Sequence, residues 1–123
     1  MTVKTIPTEH QEQCALFEWA AWMARRHPDL LLMHAIPNGG KRDIRTAAML
    51  KAEGVKPGVP DIFLPVPRGG KHGLYIELKR RKGGVISKAQ EAWIRALTNQ
   101  GYMCAVCHGA EAARDEILAY MAM

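Results

Sequence analysis

Pro60-Asp61 and Glu77-Leu78-Lys79 are the residues of this chain best suited to chemistry. Each group stands at one end of a short apolar run, Ile62-Phe63-Leu64 for the first and Gly73-Leu74-Tyr75-Ile76 for the second. A strand sends alternate side chains to opposite faces, so Glu77 and Lys79, two apart, leave the same face. If the two runs pair as neighbouring strands, Asp61 joins them, and two carboxylates and a lysine meet at one point. Two acids with no cation repel, and one is driven to keep its proton. A hard divalent ion, Mg2+ or Mn2+, removes the conflict by taking oxygens from Asp61, Glu77 and the Leu78 carbonyl. Such an ion polarises a phosphate and lowers the pKa of bound water, the chemistry of phosphodiester hydrolysis. Lys79 would orient the attacking water or stabilise charge on the pentavalent phosphorus. Each part also has a plainer reading. Asp61 can be a turn residue after proline, and Glu77 and Lys79 can be solvent-facing charges on an edge strand.

The elements that would position these groups follow from periodicity and punctuation. Thr8, with Gln11 three residues on, predicts a capping box. Leu16, Phe17, Trp19, Ala20 and Met23 recur at helical spacing, so a helix is expected from Glu9 to about Arg26, stopped by His27-Pro28-Asp29. Leu30 to Ile36 reads as a strand. Pro37-Asn38-Gly39-Gly40 is a loop, and Asp43 to Glu53 a second helix closed by Gly54. Strands are expected at Asp61 to Val66 and Gly73 to Lys79, joined by a hairpin loop at Pro67 to Lys71. Ser87 caps a helix to about Gln100, Tyr102 to His108 is a last strand, and Glu111 to about Met121 a last helix. The order α–β–α–β–β–α–β–α predicts a mixed sheet with helices on both faces.

Other residues join the candidate site by position. Glu9 lies where the core-facing stripe of the first helix reaches its N-terminal end. It is either a further metal or water ligand or a first-turn acid that stabilises the helix dipole; Glu12 is the other acid of that turn. Asn38-Gly39-Gly40-Lys41-Arg42 pairs bare backbone with positive charge, suited to close approach by a phosphate backbone or simply to a turn. Ser87 and Gln90 open a helix whose N-terminus can receive a phosphate, though Ser87 serves first as a cap. His10, His34, His72 and His108 have no metal-site spacing, and no Walker loop or GxSxG elbow is present.

The 123 residues fit one domain, and 48% hydrophobic content is ordinary for a globular chain. The net charge of +5 favours a polyanionic partner. The charge is clustered at Lys41-Arg42-Arg45, at Lys51 and Lys56, and at Arg80-Arg81-Lys82 directly after the candidate acids. No apolar run is long enough for a membrane span, and Met1 to Gln13 has no signal-peptide core. Cys104 and Cys107 have CxxC spacing inside a strand-like run, where they would face opposite sides. With Cys14 they read as reduced structural thiols, and a cytosolic compartment is expected.

These motifs resemble the VRR-NUC domain family of the PD-(D/E)XK nuclease superfamily. The resemblance rests on Glu9, Asn38 to Gly40, the Lys51 to Asp61 stretch KAEGVKPGVPD, Glu77-Leu78-Lys79, and Ser87 to Gln90, in that order over about residues 8 to 122. It implies a restriction-endonuclease-like αβββαβ core with an extra helix between the first two strands and a C-terminal helix. It also implies Mg2+ or Mn2+ dependence and DNA cleavage, with a structure-selective enzyme acting on a Holliday junction, flap or other branched DNA, often as a homodimer. Glu9 matches the family's early acid better than Glu12. The expected contacts to DNA are Asn38, Gly39, Gly40, Lys41, Arg42, Lys56, Arg80, Lys82, Ser87 and Gln90. The competing expectation is a DNA-binding module that keeps the nuclease fold without catalysis; the acids at Asp61 and Glu77, which would face phosphates, argue against it.

Overall fold

The computed structural model describes residues 5–37 and 43–123. Helix α1, Glu9–Met23, begins with the expected capping box: Gln11 N–H donates to the Thr8 hydroxyl at 3.1 Å, and Thr8 N–H donates to Gln11 Oε1 at 2.9 Å. Its buried stripe is Glu12, Leu16 and Ala20, four residues apart. The helix stops three residues short of Arg26, where the Arg26 and His27 amides both turn back onto the Met23 carbonyl.

The Leu30 to Ile36 segment departs from the expected strand. Pro28–Leu32 is a 3-10 turn, and only His34–Ala35 form strand β1. Pro28 fixes a helical φ at the start of the turn. Leu30 and Met33 are buried three residues apart, the period of a 3-10 turn, while Leu31 and Leu32 are 71% and 53% exposed. A run of three leucines hides this period, because every position is apolar.

Helix α2, Ile44–Ala52, is capped by Asp43, which accepts from the Thr46 amide. It ends in a Schellman closure: Gly54 N–H reaches the Lys51 carbonyl and Val55 N–H the Leu50 carbonyl, with Gly54 at φ +98. Strands β2, Ile62–Leu64, and β3, Leu74–Lys79, are shorter than the expected Asp61 to Val66 and Gly73 to Lys79. Between them Arg68 and Lys71 pair across Gly69 and Gly70, both at positive φ. Helix α3, Lys88–Asn99, strand β4, Met103–His108, and helix α4, Ala110–Met121, complete the chain.

The sheet order is β1-β2-β3-β4, antiparallel for the first two pairs and parallel for β3 with β4. This is a mixed α/β fold with the αβββαβ core, α2 inserted between β1 and β2, and α4 at the end. On one face Ile62, Leu64, Leu74, Ile76 and Leu78 are buried against Leu16, Ala113, Ile117 and Tyr120 of α1 and α4. The Tyr120 hydroxyl donates to the Val66 carbonyl inside this core. On the other face Phe63 stacks on Tyr75 at 4.2 Å, and Tyr102 meets both rings edge-on. The ring faces are thus used on one another. Cys104 and Cys107 lie on opposite faces as expected: Cys107 is buried in the core with α4, and Cys104 is half-buried on the side where α3 packs on β4. Helices therefore flank both sides of the sheet, and the face carrying Tyr75 also carries Glu77 and Lys79.

The loop before β2 is fixed by contact with α3. Gly58 has φ +93, and a Cβ there would stand 2.8 Å from the backbone of Ala89. Gly58→Ala combines left-handed strain with this clash at a backbone that cannot yield. It should cost about 2 kcal/mol or more, lowering Tm by roughly 10 °C in a thermal melt. An unchanged Tm would mean that the loop does not rest on α3.

Candidate active site

The β2–β3 register builds the centre of the site. Ile62 pairs with Ile76, so one step outward on each antiparallel strand sets Asp61 opposite Glu77. The ladder stops there, and the Asp61 carboxylate replaces it, Oδ2 accepting from the Leu78 amide at 3.0 Å. On its other side the Asp61 carbonyl accepts from the Ile36 amide at 2.7 Å. Asp61 is thus held between β1 and β3, half-buried and beside Glu77.

Glu77 is only 2% exposed. Its Oε1 has no hydrogen-bond partner, and its Oε2 lies 3.9 Å from the Lys79 ammonium. A buried carboxylate with an unpaired oxygen is costly. The carboxyl is accordingly pushed up to about 9, first by loss of water, then by its hydrogen bond to Asp61 and that residue's charge. Lys79 opposes the shift, and the charge of Glu9 adds to it. The plainer reading of Glu77 as an exposed strand-edge charge is therefore wrong: β4 covers β3 on the far side.

The Lys79 side chain is 11% exposed. The turn after it lies on its stem, so that a Cβ on Gly84 would meet Lys79 Cβ at 2.8 Å. The Lys79 carbonyl accepts from the Gly109 amide, which fastens the end of β3 to the start of α4.

The two acids of the first turn of α1 have different roles. Glu9 is exposed, and its charge adds to the upward push on the Glu77 carboxyl. Glu12 is 2% exposed and takes both arms of Arg81, Nε to Oε2 at 3.0 Å and a terminal nitrogen to Oε1 at 3.4 Å. The sequence reading missed this pair. Its signal was available, since Glu12 continues the Leu16, Ala20 stripe four residues upstream and so points inward.

Asn38, Gly39, Gly40, Lys41 and Arg42 lie outside the described residues. Lys56 is exposed and borders a cavity of about 380 Å³ with Ile36, Val59 and Trp93, beside the backbone that holds Asp61. Lys82 is exposed. Arg80 is exposed, and its guanidinium donates to the Ile6 and Pro7 carbonyls at 3.3 and 3.4 Å. Ser87 and Gln90 cap α3 reciprocally: the Ser87 hydroxyl accepts from the Gln90 amide, and Gln90 Oε1 accepts from the Ser87 amide.

Among the described residues no group of three or more His, Cys, Asp or Glu side chains is arranged for a metal ion. The oxygen donors at the centre are two carboxylates, Asp61 and Glu77, with one oxygen of Glu77 unpartnered. That set suits a small hard cation that keeps most of its water and takes one or two protein carboxylates. It does not suit a cation that needs a closed nitrogen or sulfur cage.

A four-stranded mixed sheet with two acids and a lysine where β2 and β3 diverge defines a protein of nuclease fold. The VRR-NUC domain family model matches residues 3–111. The chain belongs to the VRR-NUC domain family, and that membership supports a nuclease role with DNA as substrate. A solved structure described as a VRR_NUC domain protein is similar over 95% of this chain and 90% of its own, with 29% identity and a TM-score of 0.78. No curated protein matches the chain. Among the described residues, no helix is long and apolar enough to cross a membrane.

The Glu77 environment predicts a pH dependence of stability. In the native chain without metal Glu77 holds its proton up to about 9, whereas the unfolded chain releases it near 4.5. The native state binds more protons between these values, so stability should fall as pH rises through that window. Glu77→Gln should flatten this fall in chelator and raise the urea midpoint most at the alkaline end. Equal slopes for parent and variant would refute the buried-proton assignment.

Proposed function

We propose that this protein is a DNA endonuclease dependent on Mg2+ or Mn2+, with Asp61 and Glu77 as metal ligands and the Leu78 carbonyl as a further oxygen. The observation that carries this reading is the buried Glu77 oxygen without a partner, set beside a second carboxylate. A side chain this costly to bury is explained by a cation that both acids share. When bound, the cation would polarise the scissile phosphate and acidify a water.

The chain's own groups do the rest. The Leu78 amide keeps Asp61 turned toward Glu77. Lys79, on the same face, supplies a fixed positive charge for the phosphate oxygens and a donor for the attacking water. Glu9, whose charge reaches Glu77, is the proposed water-orienting group. Lys56, Lys82 and the start of α3 at Ser87 and Gln90 are the proposed phosphate contacts, joined by residues 38–42. Branched DNA, such as a Holliday junction or a flap, is the proposed substrate. A homodimer would offer two such sites related by symmetry, one for each of two strands. Trp22, 60% exposed on α1, offers apolar surface for that contact.

Cleavage of a four-way junction, a flap, a nicked duplex and a linear duplex, each with Mg2+, Mn2+ or chelator, tests the reading. The parent should cut at least one branched substrate only when metal is present. Asp61→Ala and Lys79→Ala should each lower the rate by at least about 100-fold, with binding in chelator changed by no more than a few-fold. Binding of every substrate with no cutting would establish a binding module instead. Unimpaired cutting by Asp61→Ala would remove this site from the mechanism.

A further inference from the structure

Arg80 and Arg81 follow Lys79 directly in a basic run, and Arg80 is an expected DNA contact, yet both guanidinium groups, on exposed residues, bond to the segment that begins α1. Arg81 is fork-bonded to the buried Glu12 carboxylate, and Arg80 reaches the Ile6 and Pro7 carbonyls. These attachments bracket Glu9, two and three residues before it and three after. The strap that carries them is itself anchored to the end of β4 and the start of α4: His108 Nδ1–H donates to the Arg80 carbonyl at 2.9 Å, and Gly109 N–H to the Lys79 carbonyl at 2.9 Å. Gly109 also leaves the room the ion pair needs, since a Cβ there would stand 2.7 Å from Glu12 Oε2 and 2.9 Å from Arg81 Cγ.

We propose that Arg80 and Arg81 are positioning residues rather than phosphate contacts, and that they hold the Glu9-bearing first turn of α1 over the Asp61–Glu77 pair. This rests on the nuclease reading above. A bidentate arginine fixes direction as well as distance, and lysine cannot reproduce the fork. Glu12 is the inward anchor, and Glu9, one turn earlier, is delivered to the mouth of the site. Of the three consecutive cations, Lys82 alone remains directed to DNA.

Two measurements on Arg80→Ala, Arg81→Ala, Arg81→Lys and Lys82→Ala test this. The first is the salt dependence of DNA binding in chelator. A cation that contacts a phosphate contributes about 0.9 to the slope of log K against log salt. Lys82→Ala should flatten the slope by about that amount, whereas all three arginine variants should keep the parent slope. The second is Mn2+ binding without DNA, followed by calorimetry, together with the Mn2+ dependence of cleavage. Arg81→Ala should weaken Mn2+ binding and raise the half-saturating concentration in cleavage, each by about 10-fold, an effect of the size that loss of a ligand-orienting partner produces. Arg81→Lys should recover part of it. Glu9→Ala should add little in the Arg81→Ala background if the two act through one another.

A flattened slope with unchanged Mn2+ binding in Arg81→Ala would make that arginine a phosphate contact and overturn the proposal, leaving the nuclease reading intact. Should Arg81→Ala fail to fold, Arg80→Ala, at an exposed position, and Arg81→Lys carry the same comparison. A parent that cuts nothing with any divalent ion refutes the nuclease reading instead. The slopes would still decide whether these arginines face DNA.

Discussion

The structure is organised around the cost of burying Glu77 beside Asp61. An isolated carboxylate in a sheet interior is strongly disfavoured, and a second one next to it makes matters worse. Lys79 at 3.9 Å offsets only part of this, and one Glu77 oxygen has no partner. The chain accepts the penalty at the edge of an otherwise apolar core. Local conflict of this kind, in a fold whose other parts agree with one another, is the mark of a functional position.

That penalty can persist only because the surrounding elements are rigid. β3 lies between two hydrogen-bonded neighbours, so the backbone that carries Glu77 cannot move outward without breaking the sheet. β2 ends where its ladder bond is taken over by the Asp61 side chain, and the backbone of Asp61 is tied to Ile36. Gly58 fits against α3 just before this point, and Gly84 rests on the Lys79 stem just after it. The candidate groups thus come from strand ends held by packed glycines rather than from free loops, a support that favours fixed geometry. The Glu12–Arg81 pair adds a second buried charge, but a fully matched one. A satisfied buried acid on α1 thus contrasts with an unsatisfied one on β3.

Most of the element order was legible in the sequence. The capping boxes at Thr8–Gln11 and Ser87–Gln90, the Gly54 closure and the Cys104/Cys107 alternation are local patterns, and local patterns depend on nearest neighbours along the chain. The Leu30 to Ile36 segment misled because its uniform apolarity carries no period, and Pro28 decided in favour of a turn. The roles of Arg80, Arg81 and Glu12 were illegible as a set. Their partners lie about 70 residues away, and sequence proximity to Lys79 suggested a shared task that the folded chain divides.

The order of residues was enough to single out Asp61, Glu77 and Lys79 as groups that could do chemistry and to put the last two on one face, because strand alternation is a property of the backbone alone. Folding of the whole chain was needed to set Asp61 opposite Glu77, to bury Glu77 with an unpaired oxygen, and to turn Glu12 inward to Arg81 while Glu9 stays exposed. Register, burial and ion-pair choice depend on which distant surfaces come to pack together. Water is excluded from a side chain by those surfaces and not by its neighbours in sequence.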